Sequence, residues 1–177
     1  MMLAAAQRRL EASIPIGDRV LLDTTCLAAY LDSGEVVHAV ARHILDAFVA
    51  SGRNEAIVSM VTIMEILVRP MRSTPPGHRT VLSFVRHHPN LEAVPTDLQM
   101  AQEAASLRAI HRFRPPDALV VATGIACQVG HLVTNDHQWS AKLAPIEARI
   151  KVVRLADFAA PAGSPAPKRH GANRLAR

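Results

Sequence analysis

The chain has 177 residues, enough for one domain with an adequate core, and a net charge of +5. It is 49% hydrophobic but only 3% aromatic, so the core must be aliphatic, as in a buried parallel sheet covered by helices. That scarcity of rings argues against stacking platforms for single-stranded nucleic acid, and no run approaches the ~20 apolar residues of a membrane span.

The charge is unevenly placed. Lys168, Arg169, Arg174 and Arg177 lie in the terminal segment 159–177, which has no acid, so the rest of the chain is only about +1. The high pI therefore reports a tail and not a basic face. Pro, Ala, Gly and Lys/Arg dominate that tail, which is expected to be disordered. Cys26 and Cys127 each sit in an apolar helical segment without a partner at metal-ligand spacing, and the nine histidines form no zinc pattern. Lone thiols suit a reducing cytosol. Arg8 and Arg9 follow the apolar Met1–Ala6 where a signal peptide would put charge first, so the expected location is cytoplasmic.

In chain order, residues 1–18 read as an extension, with a short helix over Met2–Ala12 ended by Ile14-Pro15-Ile16-Gly17. Val20–Asp23 is a short buried strand, and Thr25–Leu31 a helical turn or two. Val36, Val37, Val40, Ile44, Leu45 and Phe48 repeat near a helical period across Glu35–Ser51, and Gly52 is its stop. Ala56–Val58 is a second strand. Ser59 or Thr62 caps the next helix, which Pro70 is expected to end. A turn over Ser73–His78 leads to a helix over Thr80–His87, stopped before Pro89, and then to a strand over Leu91–Val94. Asp97 caps a helix over Leu98–His111, with Met100, Ala101, Ala104, Ala105, Leu107 and Ile110 as its apolar face. Pro115 and Pro116 open a helix whose body, Ala118–Gln128, is apolar nearly all round. Leu132–Thr134 and Ile150–Leu155 are the last strands. The order β-α-α-β-α-α-β-α-α-β-β predicts an α/β fold, with residues 19–158 as the domain.

Four acids stand at strand–helix junctions: Asp23, Glu65, Asp117 and Asp136. In such a fold these junctions face one crevice at the carboxyl ends of the strands. Carboxylates gathered there repel unless a cation neutralises them, and Mg²⁺ or Mn²⁺ prefers their hard oxygens. Taken singly, Asp23 also suits a turn, Asp117 a helix dipole and Asp136 an Asx turn. Glu65 is harder to explain that way, because it interrupts an apolar helix where an unpaired carboxylate is costly.

The junctions together resemble the PIN domain, in particular its VapC-type ribonuclease toxin branch. The residues that carry the resemblance are Leu21-Leu22-Asp23-Thr24-Thr25, Ser59-x-x-Thr62-x-x-Glu65, Arg114-Pro115-Pro116-Asp117-Ala118 and Leu132-Val133-Thr134-Asn135-Asp136 with Trp139 after it. Each piece alone is common; the four in order are a specific signal. The resemblance implies a three-layer α/β/α fold, with a mainly parallel five-stranded sheet in order 3-2-1-4-5. It also implies a Mg²⁺- or Mn²⁺-dependent endoribonuclease, a small antitoxin protein that blocks the site with a basic side chain, and a homodimer. Asp23, Asp117 and Asp136 would then hold the principal metal, and Glu65 would orient a water or hold a second ion. Thr24, Thr25, Thr134 and Asn135 would support the carboxylates. The family usually has Asn or Ser at the place of Thr25, and Thr keeps the hydroxyl. Arg112 and Arg114, and further off Arg69 and Arg72, are candidates for RNA phosphate, although solvated surface arginines look the same in sequence. Trp139 is expected in the core, and His137, His131 and the pair His87-His88 are expected to be bystanders at the surface.

Two other functions fit an Asp after the first strand. A phosphatase of the haloacid-dehalogenase type wants a second acid two residues on, where this chain has Thr25. A PIN-like module that binds RNA or protein without cutting would need none of the four acids.

Overall fold

The computed structural model describes residues 4–72 and 77–159. The expected basic tail from residue 160, residues 73–76 of the expected turn, and Met2 and Leu3 of the expected first helix lie outside the described residues. Five strands form one sheet: β1 (Arg19–Leu22), β2 (Glu55–Ser59), β3 (Leu91–Val94), β4 (His131–Thr134) and β5 (Lys151–Arg154). Their order is β3-β2-β1-β4-β5 and all four pairings are parallel, the arrangement expected from the resemblance. The first described element is α1 (Ala4–Ser13). Between β1 and β2 run α2 (Thr24–Leu31) and α3 (His38–Arg42), which continues as a π-helical stretch over His43–Val49. Then come α4 (Met60–Arg72) and α5 (Gly77–His87) before β3, α6 (Leu98–His111) and α7 (Pro115–Ala126) before β4, and α8 (Gln138–Leu143) before β5.

Alternation along each strand splits the core in two. Val20, Leu22, Ala56, Val58, Val133 and Val153 face α1 to α5, whose contributions include Leu10, Leu27, Ile44, Ile63 and Val81. Leu21, Ile57 and Leu132 face the opposite way, onto α6, α7 and α8 through Met100, Leu107, Val121 and Trp139. Among the described residues, no helix is long and apolar enough to cross a membrane.

Several expectations are corrected. A helix, α8, separates the last two strands, where the sequence pattern suggested none. Parallel neighbours require such a crossover. Pro70 lies inside α4 and does not end it. On α6 only Met100, Ala104 and Leu107 are buried, while Ala101 and Ala105 are exposed and Ile110 is 69% exposed. A single line of side chains reaches the sheet, so the helix needs a narrower stripe than its apolar residues suggest. Gly52 does stop the preceding helix, with φ +80°.

The N-terminal segment is built into the body. Leu10 and Ile14 are fully buried, and Arg53 donates to the carbonyls of Glu11 at 2.9 Å and Ile14 at 2.7 Å. Asn54 Nδ2 donates to those of Pro15 at 2.7 Å and Asp18 at 2.8 Å. The Arg53 guanidinium lies 4.0 Å from the centre of the Phe48 ring, so one cation meets both the carbonyls at the end of α1 and an aromatic face.

His131, expected at the surface, is buried at the start of β4. Its Nδ1 lies 3.3 Å from Asp18 Oδ2 without hydrogen-bond geometry. Burial holds its pKa below the usual 6.5; Asp18 works against this shift and Lys151 adds to it. The unfolded chain therefore takes up a proton that the folded chain refuses. Stability from this group is complete above pH 6.5 and is lost as pH falls through the lowered folded value. His131→Gln is expected to flatten the fall in urea midpoint on acidification below pH 6.5; an unchanged slope would assign it to other groups.

Candidate active site

The parallel sheet places β1 between β2 and β4, so the residues leaving those three strands emerge side by side. Asp23 is the first residue past β1. Its N–H donates to Val133 O at 3.0 Å, one last rung of the β1–β4 ladder, and its carboxylate caps α2. Oδ2 accepts the hydroxyls of Thr25 and Thr134, each at 2.8 Å, and more weakly the Thr25 N–H at 3.4 Å. The carboxylate is only 7% exposed, and these donors replace the water hydrogen bonds it gives up. Its Oδ1 takes no hydrogen bond among the described residues.

The two threonines tie this carboxylate to the loop after β4. Thr25 Oγ1 accepts the Asn135 N–H at 2.8 Å, and Thr134 Oγ1 accepts the Asp136 N–H at 3.0 Å. The hydroxyl oxygens are 3.1 Å apart. Each has one proton and gives it to Asp23, so that close approach is set by shared partners and not by a bond between them. Asn135 Oδ1 is buried without a hydrogen-bond partner among the described residues, which leaves an oxygen acceptor open beside this cluster.

Glu65 joins through Thr24, whose hydroxyl donates to Glu65 Oε2 at 2.5 Å. It is exposed, which corrects the expectation of a carboxylate inside an apolar helix. The buried side of α4 is Thr62, Ile63 and Ile66, and Glu65 lies off it. Ser59, and not Thr62, meets the start of that helix, accepting Val61 N–H at 3.3 Å. Asp136 Oδ1 accepts the Gln138 N–H at 2.9 Å, so it also serves as the turn acceptor that opens α8. His137 is exposed, with Nδ1 3.8 Å from that carboxylate.

Asp117 has a different neighbour. It lies in the first turn of α7, after Pro115 and Pro116, and its Oδ2 pairs with Lys142 Nζ at 2.8 Å. Lys142 and Gln138, both on α8, line a cavity of about 210 Å³ together with Arg112, Arg114 and Asp117. Sequence reasoning missed both residues, because no helix was expected between β4 and β5. Among the described residues, no three His, Cys, Asp or Glu side chains stand together as a ready metal cage. Hydrogen bonds join Asp23, Thr25, Thr134 and the backbone N–H groups of Asn135 and Asp136 into one network; the Thr24–Glu65 pair stands beside it through the chain, and Asp117 pairs with Lys142 instead. Trp139 is buried as expected. Cys26 lies fully buried behind Asp23, and burial first, then that carboxylate, pushes its thiol far up, so it is no ligand.

Residues 20–143 match the family model of the PIN domain. The chain belongs to the PIN domain family. No curated protein matches the chain in sequence. Solved structures with a similar fold include a toxin–antitoxin complex from Klebsiella pneumoniae, 21% identical with TM-score 0.58, covering 77% of this chain and 97% of that one. FitAcB from Neisseria gonorrhoeae is 16% identical with TM-score 0.59, over 77% of this chain and 98% of that one. VapC20 of Mycobacterium tuberculosis, described as a toxin that cleaves the sarcin–ricin loop, is 19% identical with TM-score 0.56, over 73% and 98%. At these identities the likeness is one of fold.

Proposed function

We propose that this PIN domain is a divalent-metal-dependent endoribonuclease and the toxin of a toxin–antitoxin pair. The observation that carries the reading is Asp23: a nearly buried carboxylate fixed through one oxygen by Thr25 and Thr134, with its other oxygen unpartnered among the described residues. An open carboxylate oxygen and the orphaned Asn135 Oδ1 are hard acceptors that suit Mg²⁺ or Mn²⁺. Asp23, Asp136 and Asp117 would hold the ion, with Glu65 beside it. A divalent ion there would lower the pKa of water and neutralise charge on a phosphate oxygen. The protein's own part is positional. Thr25 and Thr134 hold the Asp23 carboxylate in one orientation, Thr24 holds Glu65 where it can orient a water, and Arg112 and Arg114 meet the RNA phosphates. The likeness to proteins described as toxin–antitoxin complexes supports a small antitoxin as partner; a homodimer remains part of the reading.

The test is cleavage of pooled cellular RNA by the purified chain, with Mn²⁺ or Mg²⁺ against EDTA, and with Asp117→Asn alongside. Discrete fragments that need metal and disappear in the variant are the expected result. Uncut RNA with no metal bound and the fold intact would leave a second reading, an RNA-binding module, which the pairing of Asp117 with Lys142 favours.

A further inference from the structure

Lys142 is an internal cation resting on a carboxylate of the proposed metal site. Its ammonium lies 2.8 Å from Asp117 Oδ2, with side chains 26% and 20% exposed. The same ammonium is 4.7 Å from the centre of the buried Trp139 ring, so it is held from two directions. Asp117 has no other hydrogen bond or ion pair among the described residues, and Lys142 has no other carboxylate. A lysine ammonium and a hard divalent ion seek the same oxygen, and the divalent ion has twice the charge. Lysine differs from arginine in giving way easily, since it is a point charge on a flexible stem with no bidentate grip.

We propose that Lys142 is a tethered competitor for Asp117: it neutralises this carboxylate in the metal-free protein and yields it when a divalent ion binds. This rests on the metal-dependent reading above and adds a second state to it. The ammonium has a place to go. It already lines the cavity of about 210 Å³ shared with Arg112 and Arg114. Neither arginine has a side-chain hydrogen bond or ion pair among the described residues, in contrast to Arg19, Arg42, Arg149 and Arg154, which are all paired with acids. Once released, Lys142 makes a third unpaired cation in that cavity, the charge pattern that suits a phosphate of the RNA backbone. Loading the site would thereby add the Lys142 charge to the two arginines already in that cavity.

Two measurements on the full chain test this. The first is Mn²⁺ affinity by calorimetry at constant ionic strength for the wild type, Lys142→Met and Arg114→Met. Removal of the competitor is expected to tighten binding about two- to fivefold, the range for a partly exposed ion pair. Arg114→Met removes a nearby charge that does not touch Asp117, and a smaller change is expected. The second is acylation of wild-type lysines followed by mass spectrometry, with Lys151 as internal reference. Lys142 modification is expected to rise on adding Mn²⁺ while Lys151 stays constant. Equal Mn²⁺ affinity in wild type and Lys142→Met, equal gains in both variants, or Lys142 acylation indifferent to metal would overturn the proposal and leave the nuclease reading standing. Absence of Mn²⁺ binding in every protein would bring down both.

Discussion

Asp23→Asn should leave the protein folded and abolish the RNA cleavage proposed for it. The amide oxygen of asparagine can occupy the place of Oδ2 and accept the Thr25 and Thr134 hydroxyls, now 2.8 Å away, so the network survives. What changes is the other atom: an unpartnered carboxylate oxygen becomes an NH₂, and the negative charge is gone. A bound metal contributes several kcal/mol of transition-state stabilisation, and each 1.36 kcal/mol is tenfold, so the loss should be roughly a hundred- to a thousandfold. Mn²⁺ affinity should fall as well. The melting temperature should move by only about a few degrees, because weaker hydrogen bonds are offset by removal of a nearly buried charge. Single-turnover cleavage and calorimetry check this. Wild-type cleavage by this variant would remove Asp23 from the chemistry.

The second large effect is expected at Thr134, which is completely buried. Thr134→Val keeps the shape and deletes the hydroxyl. Asp23 loses a donor and the Asp136 N–H loses its acceptor at 3.0 Å. Each buried group left unpaired costs about 1–3 kcal/mol, so thermal unfolding should come several degrees lower. Cleavage should drop about 10- to 100-fold, the usual scale for groups that orient metal ligands. Thr134→Ser makes the opposite change. It keeps both hydrogen bonds and loses a methyl, worth about 1 kcal/mol. Lower stability with near-wild-type cleavage in Ser, against loss of both in Val, is the expected pair of results. If the two variants cleave equally, the hydroxyl is structural only.

Most of the strands and the helices α2, α4, α6 and α7 were legible in the sequence because their signals are local. Gly17-Asp18 and Gly52 punctuate, Asp97 caps with a 2.7 Å bond from Met100 N–H, and Pro115-Pro116 start a helix. What escaped was short, or decided by neighbours. Helix α8, over Gln138–Leu143, is too brief for a helical period to register. His131 reads as polar and therefore exposed, yet it occupies a central strand and is buried with it. Glu65 reads as buried because the residues around it are apolar. Met64 and Val68 prove to be exposed beside it, since the sheet covers only one side of α4.

Alternation, caps and turn residues within a few residues of each acid are enough to put each carboxylate at the end of an apolar strand or in the first turns of a helix. Which of them meet depends on strand order and helix packing. Thr25 and Thr134 share Asp23 only because β1 and β4 are neighbours in the sheet, with Leu22 in register with Val133. Asp117 faces Lys142 because α8 returns the chain beside α7. No local signal encodes either pairing, since both follow from strand order and crossover packing, which are properties of the whole chain's burial.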